Sequence, residues 1–326
     1  MREVLATRGA KVIVEDCASI REKEEVFIVA DFETVSSARV IAEVAYAKGA
    51  EVTIGIMSPR KVDGHEPTES IAAAMREAKV ILMLVSKSLA HTKATNRALA
   101  EGARVLSLTA ISEELIASEA FEADFRKQRP ICQKVADLFT QAEEVKITTP
   151  AGTNLKVSVR GRKGNAHSCI VDSPGQFSAA PNIEANFSPV EGTMEGIFVA
   201  DASIPYLGIG LLSTPVIFTI RKGNVFKVEG GKEAEKIKRI WEEQHDPNVY
   251  NIAQVAVGLN PRVRAVIGRL GCNYDEGAFG TAHIGIGTST NIGGKVKASS
   301  HFDAIMNGPT MELDGKVLLK DGELIV

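Results

Sequence analysis

The chain has 326 residues, of which 44% are hydrophobic, 24% charged and 5% aromatic; it is long enough for two domains, and its composition excludes disorder, collagen-like repeats and a disulfide mini-scaffold. Its 38 basic and 41 acidic residues leave a formal charge of −3, too balanced for an electrostatic grip on nucleic acid. Cys17, Cys132, Cys169 and Cys272 lie far apart with no CxxC pair, which removes zinc-ribbon and thioredoxin-type motifs and fits a reducing, cytoplasmic compartment.

The N-terminal stretch MREVLATRGAKVIVEDCASIREKEE lacks the apolar core of a secretion signal. VFIVA (26–30) is a short apolar run of the kind that forms a strand covered on both faces. SSARVIAEVAYAKGA reads as a helix, with Ser36 or Ser37 at its start and Gly49 just past its end. EVTIGIM then reads as strand, PTESIAAAMREA as helix, KVILMLV as strand, HTKATNRALAEG (91–102) as helix and ARVLSL as strand. VILMLV (80–85), the longest pure apolar run, is far short of a membrane span, so no membrane partner is expected. This βαβαβαβ rhythm predicts a parallel sheet with helices on both faces. VFIVADFETVSSA carries no glycine fingerprint and GxxxxGK[ST] is absent, so the domain is Rossmann-like without a dinucleotide motif.

A helical segment containing Pro130 follows over about 111–143, and then the texture changes. KITTPAGTNLKVSVRGRKG and VIFTIRKGNVFKVEGG alternate apolar and polar residues around turn sequences, the signature of antiparallel hairpins. KEAEKIKRIWEEQ (232–244) is the one clear helix there. The fold class is therefore α/β: an N-terminal parallel-sheet domain, residues 1–145, followed by an α+β domain rich in antiparallel hairpins, residues 146–326.

The chemistry concentrates in GTAHIGIGTSTNIGGKVKASSHFDAIM (280–306). TAHIGIG reads as a strand, TSTNIGG as a turn-rich loop and KVKASSHFDAIM as the return strand. A hairpin centred near Asn291 puts His283 opposite residue 299, or opposite His301 after a slip of two. Either way His283, His301 and Asp303 share a face, because side chains alternate with period two. Facing or diagonal partners lie roughly 5–8 Å apart at Cβ. Two imidazoles and a carboxylate suit iron(II), zinc or manganese and match the facial triad of non-haem iron oxygenases. Gly285 and Gly287 on the same face leave room for a substrate. The plain alternative is a pair of hydrogen-bonded structural histidines, and a one-residue bulge would undo the shared face.

Two further clusters stand beside this one. PNIEANFSPVEGTMEG (181–196) places Glu184 and Glu191 in a proline- and glycine-rich stretch, where a carboxylate either serves a metal site as ligand or base or belongs to an ordinary surface loop. His91 falls where the VILMLV strand meets the next helix, at the carboxyl edge of the sheet; it either binds substrate or, with Thr92, caps the helix. His65, His167 and His245 read as structural, and no GxSxG supports a serine hydrolase.

The run GTAHIGIG…GG…HFDAIM…DG, preceded by NIAQVAVGLNP (251–261) and PNIEANFSPVEGT, resembles the M29 metallo-aminopeptidases and, more closely, their shorter relatives, the 2,5-dihydroxypyridine 5,6-dioxygenases. The resemblance covers most of the chain, is strongest in 180–326, and extends to AHTKATNRALAEGAR. In the aminopeptidase branch it implies a two-metal site at Glu184, the position of Gln254, His283, His301 and Asp303. Gln254 departs from that branch's glutamate, and an amide is a poor bridge between two cations. In the dioxygenase branch the same position is a histidine that holds one iron with the HxD pair, so Gln254 departs there too. His301 and Asp303 are thus the firmest ligands, and the third is His283 or Gln254, with His283 preferred on chemical grounds. His91 in AHT matches a histidine that the dioxygenase branch uses near the first domain's cleft.

The resemblance implies a mononuclear non-haem iron(II) dioxygenase that opens a hydroxylated N-heteroaromatic ring with dioxygen. Its metal ligands would be His283, His301 and Asp303. His91 would orient or deprotonate the ring hydroxyl, Glu184 would assist proton transfer, and Gln254 would stand beside them. Zinc and manganese share these ligands. Self-association is also implied. The alternatives are a metal-dependent hydrolase with Glu184 as general base, and a binding paralogue that has lost its metal.

Overall fold

The computed structural model of the chain describes residues 2–90, 92–263 and 274–325. The backbone forms two compact units, Met1–Lys127 with His167–Pro181, and Gln128–Ala166 with Asn182–Val326.

In the first unit each apolar run is a strand and each amphipathic run a helix. Helix α1 (Arg2–Val12) precedes β1 (Glu25–Asp31), α2 (Val35–Ala47), β2 (Glu51–Met57), α3 (Glu69–Glu77), β3 (Val80–Leu84), α4 (Lys93–Ala100) and β4 (Arg104–Ser107). The strands pair in parallel in the order β2-β1-β3-β4. Phe27, Val29, Ile81, Met83 and Val105 pack with Ile71 and Met75 of α3 and Ala94 and Ala98 of α4. The alternate residues Ile28, Ala30, Leu82 and Leu84 are equally buried, on the face that α2 covers. Burial on both sides removes the polar alternation, which is why these strands read as continuous apolar runs. Thr92 caps α4 by accepting the Thr95 N–H at 3.2 Å, and Gly49 takes φ +90° after α2. At the carboxyl edge between β1 and β3, where the strand order reverses and ligands of such sheets approach, Asp31 is fully buried. Its Oδ2 accepts the Ser86 N–H and hydroxyl at 2.7 Å each.

Two helices, α5 (Glu113–Ile116) and α6 (Phe125–Gln141, with Pro130 inside), lead into the antiparallel part. Strands β5 (Glu144–Thr148) and β6 (Asn154–Ser158) pair across the PAGTN turn. After β7 (Asn165–His167) the chain returns to the first sheet, where β8 (Phe177–Ala179) adds in parallel beside β4. It then continues as β9 (Glu184–Phe187), β10 (Glu195–Ala200), β11 (Ser203–Ile204), β12 (Gly210–Leu211), β13 (Val216–Arg221), β14 (Asn224–Glu229), α7 (Lys232–Gln244), β15 (Ile252–Gly258), β16 (Thr281–Gly287), β17 (His301–Asn307), β18 (Thr310–Leu313), β19 (Lys316–Lys320) and β20 (Glu323–Leu324). The β13–β14 turn has Lys222 and Gly223 at φ +48° and +68°, the two positive values that a tight hairpin turn demands. His245, at φ +50°, ends α7 in the left-handed conformation.

The return of β8 corrects the single boundary expected near residue 145. The change of texture there marks the start of β5, whereas residues 167–181 go back to the parallel sheet and join the first unit. The second unit contains an eight-stranded sheet, β14-β13-β10-β6-β5-β18-β19-β20, and a five-stranded one, β17-β16-β15-β9-β7. Among the described residues no helix is long and apolar enough to cross a membrane.

Candidate active site

The five-stranded sheet of the second unit has one apolar and one polar face. Ala185 and Phe187 of β9, Val255 and Val257 of β15, Ile284 and Ile286 of β16, and Phe302 and Ala304 of β17 face one way, all buried. Phe139 of α6 packs on Phe187 at 5.0 Å between ring centroids, and Trp241 of α7 on Phe302 at 5.7 Å. The residues between them carry the chemistry: Glu184 and Asn186 on β9, Gln254 on β15, His283 on β16, and His301 and Asp303 on β17. All but His301 are less than a tenth exposed.

A bulge puts Gln254 on this face. Ile252 pairs with Ile286, but Gln254 pairs with Gly285, so the register shifts by one between them. Continued without that shift, the pairing would set Gln254 opposite Ile284, on the apolar side.

His283 pairs with Ile305, Gly285 with Asp303 and Gly287 with His301. This corrects the register expected from a hairpin centred near Asn291. The shared face survives because the observed register differs from the expected one by an even number of residues. The segment KVKASS is not strand. Residues 288–300 instead form a connection held by polar side chains: Arg162 Nη1 donates to Gly293 O at 2.8 Å, Asn248 Nδ2 to Lys297 O at 3.0 Å, and the Ser299 N–H to Asp246 Oδ2 at 2.7 Å. Glu191 pairs with Arg162 and accepts the Lys295 N–H at 2.8 Å, so it supports this connection and lies away from the histidines.

Gly285 does not leave the substrate room expected of it, because three side chains close on the position. A Cβ there would sit 2.8 Å from Asp303 Oδ1, Gln254 Cβ and His301 Cε1 alike. Gly287 gives no such room either, a further correction. Its φ is +121°, and a Cβ would meet Ser300 O at 2.0 Å, so backbone approach and not substrate room requires glycine there.

Around that position, His301 Nε2 lies 3.4 Å from Asp303 Oδ1; His283 Nε2 lies 3.8 Å from the same oxygen and 3.6 Å from Glu184 Oε2. His301 Nδ1 is 2.8 Å from Thr288 O. A carbonyl only accepts, so Nδ1 carries a proton, and in the neutral ring Nε2 turns a lone pair toward the site. Glu184 Oε1 accepts Asn186 Nδ2 at 2.7 Å and Gln254 Nε2 at 3.2 Å, which leaves Oε2 as the open oxygen. Asn165 Nδ2 holds Asn186 Oδ1 at 2.9 Å, and the Cys132 thiol of α6 donates to Glu184 O at 2.9 Å.

Sequence reasoning missed Glu276, which lies in the short 3-10 turn Asp275–Gly277 and is 7% exposed. Its Oε2 accepts Asn182 Nδ2 at 3.1 Å, and its Oε1 has no hydrogen-bond partner. Burial, and then the charges of Asp303 and Glu184, push its pKa well above the ordinary carboxyl value against the opposing Tyr206 hydroxyl. The run NYDEGAFG reads only as a turn, and nothing in its spacing points to the site. Burial also works to raise Asp303, but the His301 and His283 rings outweigh it and hold that carboxyl below its usual value. For His301, burial disfavours the charge and Asp303 favours it, with a net rise. His91 lies outside the described residues.

The donors suit a divalent transition metal. Asp303 Oδ1 is buried without a hydrogen-bond partner, a costly state for a carboxylate oxygen unless a cation serves it. Taken pair by pair, the nitrogen–oxygen separations lie in the range of two donors that share an ion at roughly 2.0–2.2 Å from each. Among the described residues, however, no group of three or more His, Cys, Asp and Glu side chains is placed so that it could hold a metal ion as it stands.

The family model of 2,5-dihydroxypyridine 5,6-dioxygenase (NicX) matches residues 12–326. A protein of Pseudomonas putida named 2,5-dihydroxypyridine 5,6-dioxygenase is 25% identical over 267 residues, 79% of this chain and 75% of that one. The solved structure of a 2,5-dihydroxypyridine dioxygenase from Pseudomonas putida superposes with a TM-score of 0.85 at 19% identity, covering 99% of this chain and 98% of the other. AmpT from Thermus thermophilus has the same fold, with a TM-score of 0.70 at 17% identity and complete coverage of both chains.

Proposed function

Since the chain belongs to the 2,5-dihydroxypyridine 5,6-dioxygenase family, we propose that it opens the ring of a hydroxylated N-heteroaromatic, 2,5-dihydroxypyridine or a close analogue, with dioxygen. The observation that carries this is the convergence of Asp303, His301 and Gln254 over Gly285, where a Cβ would sit 2.8 Å from each, with His283 on the same face. His283, His301 and Asp303 are the proposed ligands of a single iron(II) ion; zinc and manganese favour the same donors. Iron(II) supplies the one-electron chemistry that lets ground-state dioxygen react with a closed-shell ring.

The chain's own residues handle the protons and the pose. Glu184 Oε2, the oxygen left open by Asn186 and Gln254, accepts the proton of a ring hydroxyl. His301 keeps its Nε2 aimed inward through the Thr288 carbonyl. A cytoplasmic homo-oligomer belongs to the same proposal, on the family resemblance.

The test is anaerobic purification, reconstitution with iron(II), and measurement of oxygen uptake with 2,5-dihydroxypyridine. One iron per chain and one dioxygen consumed per ring opened are expected, with His301→Ala losing both the metal and the uptake while remaining folded. Full metal occupancy in His301→Ala overturns the ligand assignment. A hydrolase is the second reading, favoured by two further buried carboxyls, Glu184 at 3.6 Å from His283 and Glu276 within reach of the Asp303 charge. Release of an amino-acyl anilide without oxygen uptake would establish it instead.

A further inference from the structure

We infer that the Gln254 amide is a clasp on this site: it occupies the Nε2 lone pair of His283, so a divalent cation reaches that histidine only after the amide swings away. This rests on the proposed single-metal reading and concerns what the chain's own residues do to the metal's access.

The bulge at Ile252–Gln254 turns the glutamine onto the polar face, where it is 6% exposed. Its Nε2 lies 3.2 Å from Glu184 Oε1 and 3.3 Å from His283 Nε2. The carboxylate fixes which way the amide points. Glu184 is an acceptor there, so the atom facing it is the NH2 group, and the amide oxygen points elsewhere. That same nitrogen meets the ring nitrogen of His283. Two nitrogens at this separation form a hydrogen bond only if the ring atom offers a lone pair. The proton of the neutral ring then sits on Nδ1, which is buried and has no hydrogen-bond partner.

The lone pair that accepts from Gln254 is the one a metal would take. Hydrogen bond and coordination at His283 therefore exclude each other. His301 is arranged differently: its Nδ1 proton is held by Thr288 O at 2.8 Å, and its Nε2 faces Asp303 with no amide competing for it. The site is thus half open, with His301 and Asp303 ready and His283 closed. A glutamine at 254 does this because it can donate two hydrogens from one nitrogen; a histidine or glutamate there would offer lone pairs to a metal.

The experiment compares the full-length chain with Gln254→Met, which keeps the length of the side chain but cannot donate, and with Gln254→Ala. Equal melting temperatures without metal establish that the variants fold. Calorimetric titration with manganese(II), and anaerobically with iron(II), is expected to show binding about tenfold tighter in Gln254→Met, the effect of removing one competing hydrogen bond. A second readout needs no metal. Nitrogen-15 spectra of the histidine rings should show His283 with its proton on Nδ1 in the parent chain and with Nε2 protonation appearing in both variants. Equal or weaker metal binding in Gln254→Met overturns the clasp while leaving the single-metal reading intact; weaker binding would make the amide a ligand. An unchanged His283 tautomer also overturns it. If neither parent nor variants bind metal, the single-metal reading falls, and the clasp with it.

Discussion

Glu184 is held at three points: its backbone oxygen by the Cys132 thiol, and its Oε1 by the amides of Asn186 and Gln254. Of these, the Asn186 contact is the shortest side-chain bond at 2.7 Å, and Asn165 fixes that amide in turn. A carboxylate with one oxygen saturated presents the other in a defined direction, and proton transfer depends on such placement. Replacing Asn186 by Leu is therefore expected to lower kcat about tenfold with little change in KM. In a Glu184→Gln background the same replacement should cost almost nothing, because Asn186 acts through the carboxylate. Steady-state oxygen uptake in the four chains of this double-mutant cycle decides it, and equal losses in both backgrounds would reduce Asn186 to a packing role. Legibility at this scale varied with the residue. The shared face of His283, His301 and Asp303 could be read from spacing, and Glu184 could be singled out from its motif. Glu276 could not, because an acid in NYDEGAFG looks like any turn residue until the fold buries it beside Asp303. Gln254 was visible as a departure from the family pattern, but its hydrogen bonds depend on a bulge that no periodicity announces.

Strands β16 and β17 show what a repeat of two does and does not determine. The shared face of His283, His301 and Asp303 follows from parity and tolerates any even slip. The pairing itself depends on how much of 288–300 is loop, and that is decided by Arg162, Asn248 and Asp246 reaching in from elsewhere in the chain. Side-chain anchors so distant in sequence leave no local trace, so the partner of His283 was misjudged while its face was not. Gly285 carries a sharper consequence. Its φ is not positive, so alanine suits the backbone, and the only obstacle is the added methyl against Asp303 Oδ1 and His301 Cε1. Gly285→Ala should cost about 1–3 kcal/mol of stability through overpacking. Its effect on function should be larger: about a hundredfold loss of turnover and weakened metal binding, since shifts of about an ångström between catalytic groups cost that much. Denaturant unfolding alongside oxygen uptake separates the two effects. Parent-like turnover would show that the side chains that close over Gly285 do not position the ring or the ion.

The molecule as a whole places all these groups in the second unit, and the parallel-sheet unit was the more legible of the two because its strands are continuous apolar runs with helices between them. The return of β8 was hidden, since three residues of strand, Phe177–Ala179, carry no periodicity worth reading. The second unit's buried charge has a consequence for stability. The His301 pKa is raised, so its contribution is complete below about pH 6.5, the unfolded value, and is lost as pH rises through the folded one. Glu276, also raised, behaves in the same sense: the fold prefers its neutral form, and stability falls as pH climbs from about 4.3 toward its folded pKa. Asp303 is lowered, so its contribution is present above about pH 3.9 and is lost only in acid. As pH rises above about 6.5, two of the three groups therefore act in one direction until each passes its folded pKa, and the metal-free protein should melt at progressively lower temperature. A bound divalent ion works against the His301 part of that slope, because it needs the ring deprotonated while Asp303 is already charged, so its affinity grows as His301 loses its proton. At a hundred times its Kd it adds about 2.7 kcal/mol. Differential scanning calorimetry with chelator and with saturating manganese(II) should show the two melting curves diverging from pH 6 to 9. In His301→Gln the chelated curve should flatten, and a gap that stays constant with pH would mean that the metal and the protons do not compete for these side chains.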